Sequence, residues 1–212
     1  MILYLHGFNS SPDSFKANLF KHHLIELGRG REFLCPRLPW RFSDAARLID
    51  STLLSLRGQP VCLIGSSLGG FYATHFAERY QLPAILVNPA VKPYQNLAKY
   101  VGPQRNFYTN EEYLLEASHV GELLALDIPH ITRPERYLLL TQTGDEVLDY
   151  QEGVEKFTGS EQVVIQGGDH AFRDFALYFD RIISFADTHA MQGLILETAV
   201  DRLLAVDGAD EH

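Results

Sequence analysis

Short apolar runs recur along the chain, separated by longer segments with helical periodicity. Most of the runs are continuously apolar rather than alternating, which is typical of strands that are covered on both faces. Such an alternation of strand and helix predicts right-handed crossovers and a mostly parallel sheet with helices on both faces. The predicted strands are Ile2–Leu5, Glu32–Pro36, Val61–Gly65, Ala84–Asn88, Tyr137–Thr141 and Gln162–Gln166.

Two helix starts can be located from capping signals. Ser11-Pro12 places a capping residue before a proline at the first helical position. Ser43-Asp44 opens the next helical segment, and its apolar positions share one face. These positions are Ala46, Leu48, Ile49, Leu53 and Leu54.

The interval between the fourth and fifth strands interrupts this rhythm, and we interpret residues 91–133 as an insertion. Thr109-Asn110-Glu111-Glu112 fits a capping box, which predicts a helix over Tyr113–Leu126. In an enzyme such an insertion often forms a small lid over the site, and the alternative is that it only covers the sheet. Residues 189–212 are expected to form a helical tail, with a helix over Met191–Val206 that docks on the core or mediates dimerisation.

Composition indicates one ordinary globular domain over residues 1–212, with 46% hydrophobic and 21% charged residues. The net charge of −9 argues against a nucleic-acid partner, because such affinity depends on Lys and Arg contacts to phosphates. Cys35 and Cys62 lie in apolar runs and are interpreted as buried small hydrophobic residues. The N-terminal apolar stretch is too short for a signal peptide or a membrane span, so we expect a cytoplasmic protein.

Gly65-Ser66-Ser67-Leu68-Gly69 is a G-x-S-x-G match between an apolar run and a helical segment. A sharp strand-to-helix turn of this kind projects its central residue above the sheet, which makes Ser67 the candidate nucleophile. Ser66 is disfavoured because the turn does not present the first x position. The helix predicted to begin at Ser67 would direct its positive dipole end towards an oxyanion formed there.

A serine nucleophile needs a histidine base and an orienting carboxylate, which follow it in the order Ser, Asp or Glu, His in this fold. Asp145 follows a glycine turn after the fifth predicted strand and is the candidate acid. Glu146 is expected to face solvent and Asp149 to cap the next helix. His170, in the glycine turn after the sixth strand, is the candidate base, and Asp169 is expected to stabilise that turn.

An oxyanion hole requires two backbone N–H donors. Leu68, immediately after the nucleophile, is expected to supply one of them. The other is expected from the loop after the first strand, at Phe8 or, failing that, at Asn9. His6 in that loop is interpreted as a bracing residue and His75 as a packing or surface residue. The other histidines show no metal-ligand spacing, so no metal site is predicted.

Together these motifs resemble the YqiA-like esterases, the UPF0227 group of bacterial α/β-hydrolases, over about residues 2 to 185. The resemblance implies a single-domain α/β-hydrolase with a reduced six-stranded sheet. It also implies a cytoplasmic esterase or thioesterase without a cofactor, whose triad is Ser67, Asp145 and His170. The motifs are His6–Pro12, Gly65–Ala73, Asn88–Ala90, Thr143–Asp149 and Gly168–His170.

The leading hypothesis is hydrolysis of a small-molecule carboxylic ester or acyl thioester through an acyl-enzyme. A second hypothesis is acyl transfer with the same triad, which alcohol-dependent product partitioning would reveal. A third is a catalytically silent scaffold that serves as a binding protein, against which the complete Ser-Asp-His set argues. Acyl length, leaving group and any homo-oligomeric state stay open at this point.

Overall fold

The structure is a computed structural model that describes residues 1–189. Six strands form one sheet in the order β2-β1-β3-β4-β7-β8, and every pairing within it is parallel. Two further strands, β5 and β6, pair as an antiparallel hairpin. The strands are β1 (Ile2–Leu5), β2 (Phe33–Leu34), β3 (Cys62–Ser66), β4 (Ala84–Val87), β5 (Gly102–Arg105), β6 (Glu112–Leu115), β7 (Tyr137–Gln142) and β8 (Glu161–Ile165).

Helices cover both faces of the six-stranded sheet, as predicted, and the molecule is a single domain. One face packs against α2, α3 and α6, and the other against α1 and α7. Two short helices, α4 and α5, belong to the segment between β4 and β7. The helices are α1 (Phe15–Glu26), α2 (Phe42–Ser55), α3 (Leu68–Tyr80), α4 (Pro93–Leu97), α5 (Ala117–Glu122), α6 (Tyr150–Lys156) and α7 (Phe179–His189).

The continuous apolar pattern of the strands follows from this two-sided cover. In β1, Leu3 and Leu5 face the cluster beneath α2 and α3, whereas Ile2 and Tyr4 face the cluster beneath α1 and α7. Successive side chains of a strand point to opposite faces, so both sets must be apolar. Fully burying each such side chain contributes roughly 1.5–3 kcal/mol.

The strand order places a topological switch point between β1 and β3, because the chain leaves β1 for one edge and then returns past it to β3. Connections on the two sides of such a point run in opposite directions, and they leave a crevice at the carboxyl ends of the strands. The loop after β1 and the turn after β3 meet at this crevice. The fold therefore predicts where a ligand would bind before any side chain is considered.

The helix predicted over Tyr113–Leu126 is wrong. Glu112–Leu115 forms β6, and a helix begins only at Ala117 and ends at Glu122. Asn106 closes the hairpin loop, since its Oδ1 accepts from the amides of residues 108 and 109. Asn110 has a left-handed φ of 59°, which suits a hairpin loop rather than a helix cap. A four-residue strand has too few alternations to outweigh a capping signal in the sequence.

Helix starts also differ from the predictions. Ser11 does not cap α1; its hydroxyl accepts from the amide of Asp13 in a turn, and the helix begins at Phe15. Helix α2 begins at Phe42, one residue before the predicted start. His189, the first residue of the tail predicted over 189–212, is the last residue of α7, and the rest of the tail, with its helix Met191–Val206, lies outside the described residues. Within residues 1–189, none of the helices has both the length and the apolar character that a membrane crossing needs.

Candidate active site

Ser67 lies in the sharp turn between β3 and α3, with φ 55° and ψ −122°. This backbone conformation is unfavourable for a residue with a side chain, and such strain is typical of functional positions. The turn is held by the Ser67 amide, which donates to the carbonyl of Val87 at 3.1 Å. A Cβ at Gly69 would collide with the carbonyl of Leu5, so the close approach of α3 to β1 requires glycine there.

Ser67, His170 and Asp145 are brought together into one hydrogen-bonded chain. His170 Nε2 lies 3.0 Å from Ser67 Oγ, and His170 Nδ1 lies 2.8 Å from Asp145 Oδ2. An ionised carboxylate can only accept, so Nδ1 carries the proton and Nε2 accepts from the serine hydroxyl. This is the tautomer that a general base for Ser67 requires.

The environment of Asp145 favours its ionised form. Its side chain is 2% exposed, and its Oδ1 accepts from the amides of Val147 and Leu148, each at 2.9 Å. Burial raises the pKa of Asp145, but hydrogen bonds from His170 and from these two amides outweigh it. The net pKa of Asp145 therefore lies below its ordinary value, and the carboxylate stays charged at neutral pH.

Two buried amide side chains at the ends of β4 and β7 hold the turn that carries His170. Asn88 Nδ2 donates to the carbonyls of Asp169 and His170, while its Oδ1 accepts from the Gln142 amide. Gln142 Oε1 accepts from the amides of Asp169 and Arg173, each at 3.0 Å, and its Nε2 donates to the Arg173 carbonyl. The sequence analysis missed both roles. The available signal was a polar residue closing an otherwise apolar strand.

The neighbouring carboxylates have separate roles. Glu146 is exposed, as expected, but its Oε2 also accepts from the backbone amide of His170 at 3.0 Å. Asp149 caps α6, as predicted, because its side chain accepts from the amide of Gln151. The carbonyl of Asp169 accepts from the amide of Phe172, which closes the turn around His170.

The loop after β1 lies directly against Ser67. A Cβ built on Gly7 would stand 3.2 Å from Ser67 Cβ, so the backbone of Gly7, to which the Phe8 amide is joined, lies against the candidate nucleophile. His6 braces this loop, since its Nε2 accepts from the Leu38 amide and its Nδ1 lies 3.1 Å from the Gly7 carbonyl. Within residues 1–189, the amides of Phe8 and Leu68 donate to no protein acceptor, which leaves both available to a ligand.

His75 lies away from this cluster. Its Nδ1 lies 3.0 Å from the carbonyl of Leu126, and its ring packs edge-on against Phe76. Of the two roles expected for it, packing or surface, the contacts show packing. Cys62 is buried and Cys35 is half-buried, and burial raises the pKa of each thiol to about 12.

Two cavities meet at Ser67 and His170. The first, of about 240 Å³, has a mainly apolar lining that combines the loop after β1, the start of α3 and the segment from Ala90 to Phe107. The second, of about 430 Å³, is more polar and lies on the other side of the same two residues, towards Lys16 and Glu146. Lys16 Nζ donates to the carbonyl of Ala171, and burial lowers the pKa of Lys16 to about 8.

Residues 1–187 match the family described as "Uncharacterised protein family (UPF0227)". The fold is similar to α/β-hydrolase domain-containing protein 10 from mouse, with a TM-score of 0.66 and 19% identity over 88% of this chain and 89% of that one. It is similar to Est1E from Butyrivibrio proteoclasticus with ferulic acid bound, with a TM-score of 0.64 and 14% identity over 87% of this chain and 86% of that one. It is also similar to a structure from the metagenome-derived lipolytic enzymes LipS and LipT, with a TM-score of 0.67 and 18% identity over 89% of this chain and 93% of that one.

At these identities the solved structures share the fold with this chain, while the family match extends over nearly all of the described residues. The strand-to-helix turn at Ser67 lies in Gly65–Ala73, one of the motifs that carry the resemblance, and the six-stranded sheet is the one that the resemblance implies. By this match the chain belongs to the uncharacterised protein family UPF0227, and its fold is that of the α/β-hydrolases.

Proposed function

We propose that this protein is a serine hydrolase that cleaves carboxylic esters or acyl thioesters through an acyl-enzyme. The observation that carries the proposal is the hydrogen-bonded chain from Ser67 through His170 to Asp145, with distances of 3.0 Å and 2.8 Å. These are distances at which a proton can pass from the serine to the imidazole. Ser67 is the nucleophile, His170 the general base and Asp145 the group that orients the imidazole.

Acylation begins when Ser67 Oγ attacks the carbonyl carbon of the ester. The hydroxyl proton passes to His170 Nε2, and the carbonyl electrons move onto the oxygen to form a tetrahedral oxyanion. The ionised Asp145 stabilises the imidazolium that results. When the intermediate collapses, the bond to the leaving group breaks, and His170 returns the proton to the departing alcohol or thiol.

The amides of Phe8 and Leu68 are the proposed oxyanion donors. Both residues line the apolar cavity beside Ser67, and neither amide has a protein acceptor within residues 1–189. The Leu68 amide also lies in the first turn of α3, where the positive end of the helix dipole favours a negative charge. Deacylation repeats the same steps with water as the nucleophile, which releases the carboxylic acid and restores the free serine.

The apolar cavity supports an acyl group of short to medium length. It has a volume of about 240 Å³, its lining is mainly apolar, and it begins at Ser67 and His170, where the acyl carbonyl would lie. The more polar cavity on the other side of Ser67 is the proposed site of the leaving group.

Hydrolysis of a p-nitrophenyl ester panel from acetate to palmitate tests this proposal. We expect the wild type to hydrolyse these esters, with a higher kcat/KM for short- and medium-chain esters than for palmitate, because the apolar cavity beside Ser67 is small. In Ser67→Ala the activity should fall to at most about one thousandth of the wild-type activity, because the nucleophile is lost.

Ser66→Ala is the matched control, since Ser66 is the adjacent serine at the end of β3. We expect Ser66→Ala to keep most of its activity and to react with a fluorophosphonate probe as the wild type does. A wild type that neither hydrolyses the panel nor reacts with the probe would contradict the hydrolase proposal. Activity that survives in Ser67→Ala but disappears in Ser66→Ala would instead contradict the choice of nucleophile.

A further inference from the structure

The loop that carries the proposed oxyanion donor Phe8 is anchored from two sides. On the sheet side, buried His6 accepts from the Leu38 amide. On the other side, the β5–β6 hairpin binds the residues that follow Phe8. Between these anchors only Gly7 and Phe8 remain, so the direction of the Phe8 amide depends on where both anchors hold the chain.

Asn9 is the residue at which the hairpin is attached. The hydroxyl of Tyr113, on β6, donates to Asn9 Oδ1 at 2.6 Å, and Asn9 Nδ2 donates to Gln104 Oε1, on β5, at 3.2 Å. Gln104 and Tyr113 are directly opposite each other in the hairpin register, so they approach Asn9 as a pair. The Phe107 amide also donates to the Asn9 carbonyl at 3.3 Å.

The backbone of Asn9 makes this attachment consequential. Asn9 has a φ of 52°, in the left-handed region that non-glycine residues adopt only when other contacts compensate. Its side chain is buried, and buried amide groups that lose a hydrogen-bond partner destabilise the conformation that buries them. The bonds to the hairpin therefore stabilise the conformation in which the Phe8 amide lies beside Ser67.

We propose that Tyr113, acting through Asn9, is a positioning residue that holds the Phe8 amide in place for the oxyanion. The inference rests on the proposed serine hydrolase function. By this inference the β5–β6 hairpin affects the reaction rate, although the hairpin contributes none of the proposed reacting groups. The same hairpin also lines the apolar cavity through Gln104 and Phe107.

The surroundings of Tyr113 allow its hydroxyl to be tested separately from its ring. The ring stacks on Trp40 with centroids 4.4 Å apart, a contact that phenylalanine would keep. Burial raises the pKa of Tyr113 to about 12, so the hydroxyl remains a donor at neutral pH. Tyr113→Phe therefore removes one hydrogen bond to Asn9 and little else.

In Tyr113→Phe we expect kcat for p-nitrophenyl butyrate to fall roughly tenfold, less than the 10²–10³-fold loss typical of an oxyanion donor removed outright. KM should change by less than about twofold, because the donor matters mainly in the transition state. The affinity for an alkyl boronic acid, which forms a tetrahedral adduct on serine, should weaken in parallel with kcat. Competitive inhibition by butyramide, a trigonal analogue, should remain unchanged.

Tyr94→Phe is the matched control, because Tyr94 lies in the same insertion and donates its hydroxyl to Asp127 rather than to the loop. We expect kcat and boronate affinity in Tyr94→Phe to stay within about twofold of the wild type. Asn9→Gly is a second variant that keeps the left-handed backbone and deletes both side-chain bonds. The double variant Asn9→Gly/Tyr113→Phe should be no worse than Asn9→Gly alone, because the two residues act through one bond.

The outcomes separate this inference from the proposed function. A shared loss of kcat and boronate affinity in Tyr113→Phe, not additive with Asn9→Gly, would support the positioning role. An active, Ser67-dependent wild type with unchanged kcat and boronate affinity in Tyr113→Phe would overturn the positioning role alone. Equal losses in Tyr94→Phe would also overturn it, since they would indicate general destabilisation of the insertion. A wild type with no activity and no fluorophosphonate labelling would overturn the proposed function, and the inference with it.

Discussion

The candidate site combines two regions that are held in different ways. The residues at the strand ends are embedded in the sheet: Asn88 and Gln142 are each 2% exposed, and their hydrogen bonds reach the turn that carries His170. The insertion over the apolar cavity is a small hairpin with short helices, in which Phe107 is 80% and Leu114 54% exposed. A rigid, buried support suits groups that must keep hydrogen-bond distances, whereas a thin, exposed cover suits a surface that selects the substrate.

Because the two regions are held differently, we expect kcat and the preference among substrates to respond to substitutions in different regions. Changes at the strand ends should lower kcat for every substrate, because they disturb the proton transfers. Changes within the insertion should alter the preference among substrates, with Tyr113 as the exception, because it acts on the oxyanion loop. Three further substitutions test this division.

The largest effect is expected from Asp145→Asn. The asparagine can still accept from the amides of Val147 and Leu148, but its NH₂ group would face His170 Nδ1 and favour the wrong tautomer. We expect kcat to fall on the order of 10³–10⁴-fold for every ester of the panel. Steady-state kinetics with acetate and octanoate esters measures this loss.

Asp149→Asn is the control, since asparagine caps a helix about as well as aspartate and Asp149 caps the start of α6. Its kcat should remain within about twofold of the wild type.

The folded-state pKa of Asp145 lies below the ordinary 3.8, so its charge stabilises the fold above that pH and the contribution is lost as pH falls through the folded-state pKa. The difference in Tm between wild type and Asp145→Asn should therefore shrink as the pH falls below about 4.

A smaller but still uniform effect is expected from Gln142→Leu. The leucine leaves the amides of Asp169 and Arg173 and the carbonyl of Arg173 without their partner, which loosens the His170 turn. We expect kcat to fall roughly 10- to 100-fold, because misplacement by about 1 Å is worth up to two orders of magnitude. The free energy of unfolding should fall by about 2–4 kcal/mol, measured by urea denaturation.

Gln162→Leu provides the comparison for Gln142→Leu. Gln162, on β8, also donates from its amide to backbone carbonyls, those of Val154 and Phe157, away from Ser67. The Gln162→Leu variant should have a lower free energy of unfolding, while its kcat per folded molecule stays within about twofold of the wild type. If Gln162→Leu lowered kcat as much as Gln142→Leu does, the loss would reflect stability and not the His170 turn.

The smallest and most selective effect is expected from Leu97→Phe. Leu97, on α4, is a buried part of the cavity lining. Adding bulk there should lower kcat/KM for the octanoate ester about tenfold, since one methylene in an apolar pocket is worth roughly 1–3 kcal/mol. For the acetate ester, kcat/KM should change by less than about twofold, because a short chain does not reach the filled space.

Leu114→Phe is the matched control for this change. Leu114 belongs to the same insertion but is half-exposed on β6 and does not line the cavity at Ser67. Its chain-length profile should match that of the wild type. Equal losses for acetate and octanoate in Leu97→Phe would break the division between the two regions, because the insertion would then affect rate as much as selectivity.

The sequence analysis was most successful where the signal is local. Ile2–Leu5 was predicted to the residue, and the other five strands of the sheet were located within a few residues, because continuous apolar runs reflect burial on both faces. The cap at Asp149 was also predicted from its position alone. The proposed triad remains a prediction for experiment, although its three members lie within hydrogen-bond distance.

The failures concern contacts between distant parts of the chain. Asn88 and Gln142 each bond to residues near 170, and nothing in their immediate neighbours indicates that partner. Tyr113 was placed on a helix, where it would have had no defined relation to Asn9. The hairpin reverses that interpretation, because β5 and β6 place Tyr113 and Gln104 side by side.

The sequence by itself determined the order along the chain of the six strands of the sheet, their parallel arrangement, and the turn that presents Ser67. These features depend on burial patterns and on glycines that act within a few residues of one another. Only the tertiary structure decided which polar side chains hold the His170 turn, how the insertion folds, and that the insertion forms hydrogen bonds to the loop after β1. Those arrangements depend on hydrogen bonds between residues that are about 30 to 100 positions apart, and such pairs have no periodicity in the sequence to reveal them.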